Sequence, residues 1–414
     1  MLKRLMLASA ILPVVSFAES DPLDVLLKKL EEKGVITKEE AKEVKKVAKK
    51  HPHLKVKIRL QPRIDFGDIY KENNDYKSRS DFYFRRVRLE ISKEWKNIPF
   101  GKKLKINFTL HSDKGERDYD YKKGEKEHHS FDPKVKYAYA DWTFVDEFAV
   151  RIGKNKIPYS RVSLTSSSRQ LLIERPYVTE DAKKWLGDYD SNQIMFHGKV
   201  AGGIFRYMLS IWDGSTIESK NKTGGTVKAD TSLGDAYAIR LEFSPPGFVE
   251  KKKDDTGIGE KNKGDVISVG LNYAKNSDFD ITDKNIKNEE ATVWGGDIFG
   301  RFHLGPGALV AQAEYVKMKY DKLDLEEKGY YIQAGYLIPT PYGKFEPAAR
   351  YEHFKQEDKK NDVTKHKKDI ITLGFNHYIK GHKIKWGYNV LFIDNKEKDE
   401  KDQTVHQIQM QFYF

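Results

Sequence analysis

The sequence predicts an all-β chain, a transmembrane antiparallel β-barrel of about sixteen strands with a short N-terminal helical hairpin. Three observations predict it. From Leu54 onward, short segments alternate apolar and polar residues with period two. Beyond the N-terminal stretch, no apolar run approaches the about 20 residues that a membrane helix needs. The chain closes on Gln411, Phe412, Tyr413 and Phe414, so its last residue is an aromatic on an alternating strand.

The N-terminus reads as a secretory signal. Lys3 and Arg4 precede the apolar stretch Leu5–Val15, and Ser16 and Ala18 supply the small residues of a cleavage site, placing a signal peptide at 1–18. Residues 19–52 read as helical. Pro22 suits a first helical turn, and Leu23, Leu26, Leu27 and Leu30 form one apolar stripe that ends at Gly34. Thr37 caps a second helix, with Glu40 completing a capping box. Ala41, Val44, Val47 and Ala48 continue its apolar face as far as His51-Pro52. This segment is expected in the periplasm, either packed on the barrel rim or serving oligomerisation or cell-wall contact.

The barrel is expected over 53–414. Val56, Ile58 and Leu60 alternate with Lys55, Lys57, Arg59 and Gln61, and the same pattern recurs at Leu104–Leu110, Tyr237–Phe243 and Ile384–Phe392. Strands are expected to begin near residues 54, 82, 103, 134, 147, 192, 203, 234, 265, 291, 307, 328, 343, 368, 382 and 403. Sixteen strands leave a water-filled lumen, whereas about eight let side chains fill it. Asp113–Pro133, Ser215–Ser232, Lys251–Gly264 and Asn276–Glu290 read as long, mobile outer loops. Trp142, Trp212 and Trp386 are expected as membrane-interface anchors. Ile408, Met410, Phe412 and Phe414 share one face, and Phe412 and Phe414 are expected to be the signal that the barrel-assembly machinery reads.

Composition agrees. A mean hydropathy of −0.71 excludes a helical membrane protein but suits a barrel, which shows only alternate residues to lipid. The chain has 23 Tyr and 22 Phe. It has no cysteine, which excludes disulfides, thiolate metal sites and cysteine nucleophiles. The charge of +12 is spread over strands rather than clustered on a helix, which argues against nucleic acid. Enzymatic motifs are missing from the sequence: no HExxH, Gly-rich phosphate loop or nucleophile elbow. His197, His303, His353 and His377 fall on strands without a nucleophile beside them, and His128-His129 is a weak metal signal. Neither a catalytic residue, a metal nor a cofactor is expected.

Several stretches resemble the phosphate-selective porin O/P family. The main one is RIGKNKIPYSRVSLTSSSRQLLIERPYV, Arg151–Val178. Others are FYFRRVRLEI (Phe82–Ile91), GYYIQAGYLI (Gly329–Ile338), FEPAARYEHF (Phe345–Phe354) and TLGFNHYI (Thr372–Ile379). KKLEEKGVITKEEA (Lys28–Ala41) is similar to a segment that many relatives carry before the barrel. The resemblance implies a trimeric, sixteen-stranded outer-membrane channel, phosphate as solute, and a third loop folded into the lumen. The residues support that loop on their own account. Residues 155–190 connect two strands and contain Leu164, Leu171, Leu172, Ile173, Tyr177 and Trp185, which need burial.

Alternation assigns the lumen more bases than acids, and rings of Arg and Lys select anions. The pore candidates are Arg85, Arg86 and Arg88 of the family's Arg-Arg-x-Arg motif, Lys103, Lys105 and Arg151 on strands, and Arg161, Arg169, Arg175 and Lys183 in the inward loop. The same loop holds Glu174, Glu180 and Asp181, which weakens a purely anionic argument. Pairing of Arg86 or Arg88 with Glu90, or of Arg350 with Glu346 or Glu352, is the structural alternative. Outer-membrane lipid, small anions, a homotrimeric assembly and the barrel-assembly machinery are the expected partners. An anion-preferring porin, a general diffusion porin, a lipid-processing enzyme and an adhesive barrel remain open at this point.

Overall fold

The computed structural model describes residues 31–32, 37–42, 54–72, 75–112, 133–185, 190–214, 226–229, 232–259, 262, 264–396 and 401–414. The chain divides into two units, Met1–His53 and Leu54–Phe414. In the first, the helix over 38–42 begins at a reciprocal cap. Glu40 N–H donates to Thr37 Oγ1 at 3.2 Å, and Thr37 N–H donates to Glu40 Oε2 at 2.6 Å. The expected signal peptide and the stripe Leu23–Leu30 lie outside the described residues, as do Val44–Pro52 of the second helical face.

The second unit is one antiparallel sheet. In order it contains β1 (Lys55–Glu72), β2 (Asp75–Ile98), β3 (Gly101–Ser112), β4 (Lys134–Val145), β5 (Phe148–Lys156), β6 (Asp190–Val200), β7 (Phe205–Trp212), β8 (Val227–Ala229) and β9 (Ala236–Phe243). It continues with β10 (Val266–Ile281), β11 (Ile286–Leu304), β12 (Gly307–Tyr320), β13 (Leu325–Thr340), β14 (Gly343–Asp358), β15 (Val363–Lys380), β16 (Ile384–Asn395) and β17 (Gln403–Tyr413). β17 pairs back onto β1, which closes the sheet. β8 and β9 both pair with β10, at successive heights, so they form one interrupted stave and the barrel has sixteen. Closure leaves no free edge, so the ladder satisfies the backbone groups that lipid cannot. At the seam, Ile58 N–H donates to Phe414 C=O at 2.7 Å and Phe414 N–H donates to Ile58 C=O at 3.1 Å.

One irregularity shapes the lumen. Gln61 pairs with Arg86 and Pro62 with Phe84, so Arg85 is an extra residue on β2. Pro62 has no N–H to give the ladder, and a bulge is where a strand tolerates that loss. The bulge also lets two consecutive residues face inward. Arg85 and Arg86 are both buried, at 3% and 1% exposure.

The polarity pattern reverses along the staves. Over the middle of the barrel, apolar side chains face outward and stay exposed, among them Phe82, Ile106, Ile152, Leu271, Ile332 and Leu373. Near the short-turn end, Trp142, Phe144, Phe148 and Phe196 stack in sequence with centroids 5.1, 5.6 and 6.3 Å apart. Towards the other end, β12–β14 carry charge on the outside. Lys317 pairs with Glu326 at 2.8 Å, and both Lys328 and Lys355 pair with Glu357. Here the inner face is largely apolar, with Val316, Met318 and Tyr320 fully buried beside the bonded pair Glu327 and Gln356. The staves therefore run on beyond the apolar band as a water-facing collar with a core of its own.

Two expected loops differ. Asn276–Glu290 is mostly strand, since β10 runs to Ile281 and β11 starts at Ile286. Lys251–Gly264 lies at the short-turn end, between the ends of β9 and β10, and its described residues fold inward: Asp254, Asp255 and Thr256 are buried. Trp212 is also placed differently. It is fully buried within the inner core rather than at the membrane interface, because β7 turns its even-numbered residues inward.

Candidate pore and its constriction

The connection from β5 to β6 fills much of the lumen. Its described part, 157–185, contains a helical turn, α1 (Arg161–Leu164), and a helix, α2 (Tyr177–Trp185). Ser160 starts α1 and its Oγ accepts from Ser163 N–H at 3.3 Å. Lys156 Nζ closes it, donating to Ser163 C=O at 2.6 Å and Leu164 C=O at 3.4 Å. Ammonium at a helix C-terminus satisfies carbonyls that have no partner in the helix.

The segment is bonded to strands around much of the ring, which fixes it within the lumen. Ser160 N–H donates to Asn272 on β10 at 3.1 Å. Trp185 Nε1 donates to Glu327 on β13 at 2.7 Å, and Tyr177 N–H donates to Glu352 on β14. Asn376 on β15 donates to Leu171 C=O. Arg59 on β1 donates to Ser167 Oγ at 2.9 Å. Tyr177, Val178, Ala182 and Trp185 join the apolar inner face of the collar, with Trp185 stacked on Tyr320 at 4.1 Å. This burial is what the loop's apolar residues demanded.

Glu174 is the electrostatic centre of the loop. It receives Arg85 Nε at 2.7 Å, Arg86 Nη2 at 3.3 Å and Arg63 Nη1. Burial opposes its charge, but the guanidiniums of Arg85, Arg86 and Arg63 prevail and hold its carboxyl well below the usual carboxylate range. Arg350 Nη1 adds a bond to Glu174 C=O at 2.9 Å. Arg85 and Arg86 thus tether the constriction loop to the wall.

Open space remains beside the tether, on the same strands but nearer their short-turn end. A cavity of about 200 Å³ lies against β1–β4. Among the described residues, its charged lining is Lys57, Arg59, Arg88 and Lys156 against the single acid Glu90. Thr109, Tyr137, Ser166, Ser167 and Tyr413 add hydroxyls. Glu90 is bound to Lys57 at 2.8 Å, so the lining carries a net positive charge, and Arg59 lies 4.8 Å over the Tyr413 ring.

The remaining candidates divide between this path and the loop. Arg88 lines the cavity. Lys103 lies 3.8 Å from Glu94, and Lys105 lies 5.8 Å over Tyr139. Arg151 Nε bonds Asp141 at 2.9 Å, where His197 also approaches at 3.1 Å. Arg161 is fully buried between Glu250 and Asp255, and Arg169 lies 3.9 Å from Asp254. Arg175 donates to Val162 C=O and Thr165 C=O, both at 3.1 Å. The side chain of Lys183 lies outside the described residues. Glu90 takes Lys57, and Arg350 takes Glu352 at 2.7 Å. Sequence reasoning missed Arg63 and Lys156 as parts of the site, and it missed the inward course of the described residues between β9 and β10. Strand parity held a signal for the last: a connection after an even-numbered stave returns to the short-turn end.

The family model described as phosphate-selective porin O and P matches residues 56–414. The chain belongs to that family. This porin therefore resides in the outer membrane, and its short turns face the periplasm. Its fold is similar to solved structures at low sequence identity. An anion-selective porin from Comamonas acidovorans matches at 15% identity with a TM-score of 0.55, covering 88% of this chain and 100% of that one. A loop-deletion mutant of OmpT, an outer-membrane protein of Vibrio cholerae, matches at 10% and 0.56, covering 88% and 99%. The outer-membrane channel DcaP of Acinetobacter baumannii matches at 12% and 0.54, covering 88% and 98%.

Proposed function

We propose that this porin is a passive, anion-preferring diffusion channel for small oxyanions, phosphate among them, and that it performs no catalysis. One observation carries the reading: among the described residues, the cavity beside the constriction loop is lined by Lys57, Arg59, Arg88 and Lys156 with Glu90 as the sole acid. Charges further apart than about 8 Å are screened in physiological salt, so only such a narrow place discriminates strongly. Arg offers oxyanions a fork and Lys a compact charge. Lys103, Lys105 and Arg151 extend the basic track towards the periplasm. The Comamonas acidovorans porin is described as anion-selective, which agrees with the reading through a likeness of fold. A homotrimer, removal of 1–18, and delivery by assembly machinery that reads Phe412 and Phe414 belong to the same proposal.

A general diffusion porin is the second reading. It is favoured by the pairing of Arg85 and Arg86 with Glu174, which offsets part of their charge. Reversal potential across a planar bilayer in a KCl gradient, followed by phosphate, separates the two. Anion selectivity with chloride current blocked by phosphate supports the first reading. Conductance with weak selectivity and no block supports the second and sinks the first.

A further inference from the structure

The β9–β10 connection enters the lumen from the periplasmic end and meets the constriction loop from below. Several contacts join them. Arg161 gives Glu250 a fork, with Nη1 to Oε2 at 2.8 Å and Nη2 to Oε1 at 2.7 Å. Its Nε reaches Asp255 Oδ1 at 3.1 Å, and its guanidinium lies 3.7 Å over the Phe299 ring. Asp255 then continues the contact: its N–H donates to Arg169 C=O at 3.0 Å, and its Oδ1 accepts from Thr165 Oγ1 at 3.2 Å. Arg161, Glu250 and Asp255 are essentially unexposed.

The far side of the same connection is fixed to the wall. Arg301 donates to Gly257 C=O at 3.2 Å and Gly264 C=O at 2.9 Å. Gly257 N–H donates to Glu346 at 2.6 Å, and His382 Nε2 lies 2.9 Å from Asp254. A Cβ on Gly257 would come within 2.5 Å of Leu337 Cβ, so glycine is what permits this approach. The connection therefore bridges a rigid wall to residues 161–169, whose far edge, Leu164, Ser166 and Ser167, lines the cavity.

We propose that the β9–β10 connection is a clamp, and that Glu250 and Asp255 are positioning residues that hold Arg161 and so set the width of the pore. They touch no solute. They act through the wall that 161–169 presents to the cavity. The inference rests on the reading of this protein as a channel, but the clamp has a readout independent of conduction. The native chain has no cysteine, so Ser163→Cys supplies a unique thiol, at a residue that is fully buried on α1.

The test uses the full-length protein in bilayers and detergent, with heat-modifiable migration confirming a folded barrel. In the otherwise native background the thiol at position 163 resists a membrane-impermeant maleimide. Adding Glu250→Ala and Asp255→Ala is expected to speed labelling about tenfold, as a locally unlatched loop opens. The same pair is expected to raise single-channel conductance about twofold, with flicker between levels, because a wider constriction passes more ions. The isosteric pair Glu250→Gln and Asp255→Asn retains some hydrogen bonds, and its labelling is expected to fall in between. Should the alanine pair fail to fold, this milder pair decides the matter alone. Folded variants with a protected thiol and native conductance overturn the clamp. Faster labelling in a protein that conducts no ions keeps the clamp and overturns the channel reading instead.

Discussion

Arg85 Nε lies 2.7 Å from Glu174 Oε1, and this bond links the bulge on β2 to the centre of the constriction loop. Arg86 and Arg63 share the same carboxylate. Three cations therefore surround one anion, and removing that anion changes both tether and field. Glu174→Gln is expected to strengthen anion preference and to lower the temperature at which the barrel unfolds. Reversal potentials and heat-modifiable migration measure the two effects. Unchanged selectivity would mean that solutes do not sense Arg63, Arg85 and Arg86.

The tether also has a pH signature. Glu174 is held below its ordinary value, so its stabilising contribution is complete above the unfolded value of about 4.3. It is lost only as pH falls below that value towards the lower folded one. Single-channel conductance is therefore expected to stay level from neutral pH down to about 4 as far as this tether is concerned. A step in conductance near neutral pH that Glu174→Gln abolishes would contradict the assignment.

Selectivity is expected to reside on the open side of the lumen. Arg59→Ala with Arg88→Ala removes two cations from the cavity lining. The anion-to-cation permeability ratio is expected to fall about threefold or more. Arg85→Ala with Arg86→Ala should lower it less, since both are buried against Glu174, which offsets part of their charge. The opposite order would place the selective step within the tether.

Trp185 is fully buried, stacked on Tyr320 and bonded to Glu327. Trp185→Ala leaves a cavity in the collar core and is expected to cost about 3–5 kcal/mol of local packing. The expected outcome is a loosened α2 and noisier current, read from single-channel traces. A quiet channel of native conductance would show that α2 is held by other contacts.

Phe414 completes the seam through its two backbone bonds to Ile58, and its side chain is 62% exposed on the outer face. Phe414→Asp leaves the backbone able to pair but puts a charge on that face. Assembly yield in the outer membrane is expected to fall severalfold while conductance per inserted channel stays native. Normal yield would remove Phe414 from the assembly signal.

Much of this protein was legible in its sequence by itself. Period-two alternation marked the staves, and the expected starts at 103, 134, 147, 307, 343 and 403 fall within two residues of β3, β4, β5, β12, β14 and β17. Strand periodicity is a local property, so a local reading recovers it. The Thr37–Glu40 cap was legible for the same reason. The excess of basic residues was legible too, but not their partners. Glu174 serves Arg85 from 89 residues away, and Arg161 meets Glu250 across an equal separation. Only closure of the barrel brings such residues together. Tertiary structure likewise decided that the β2 bulge turns both Arg85 and Arg86 inward, and that Lys251–Gly264 enters from the periplasmic end. It also decided that the inner face of the collar is largely an apolar core: alternation gives each strand two faces, and only what packs on each face decides which is dry.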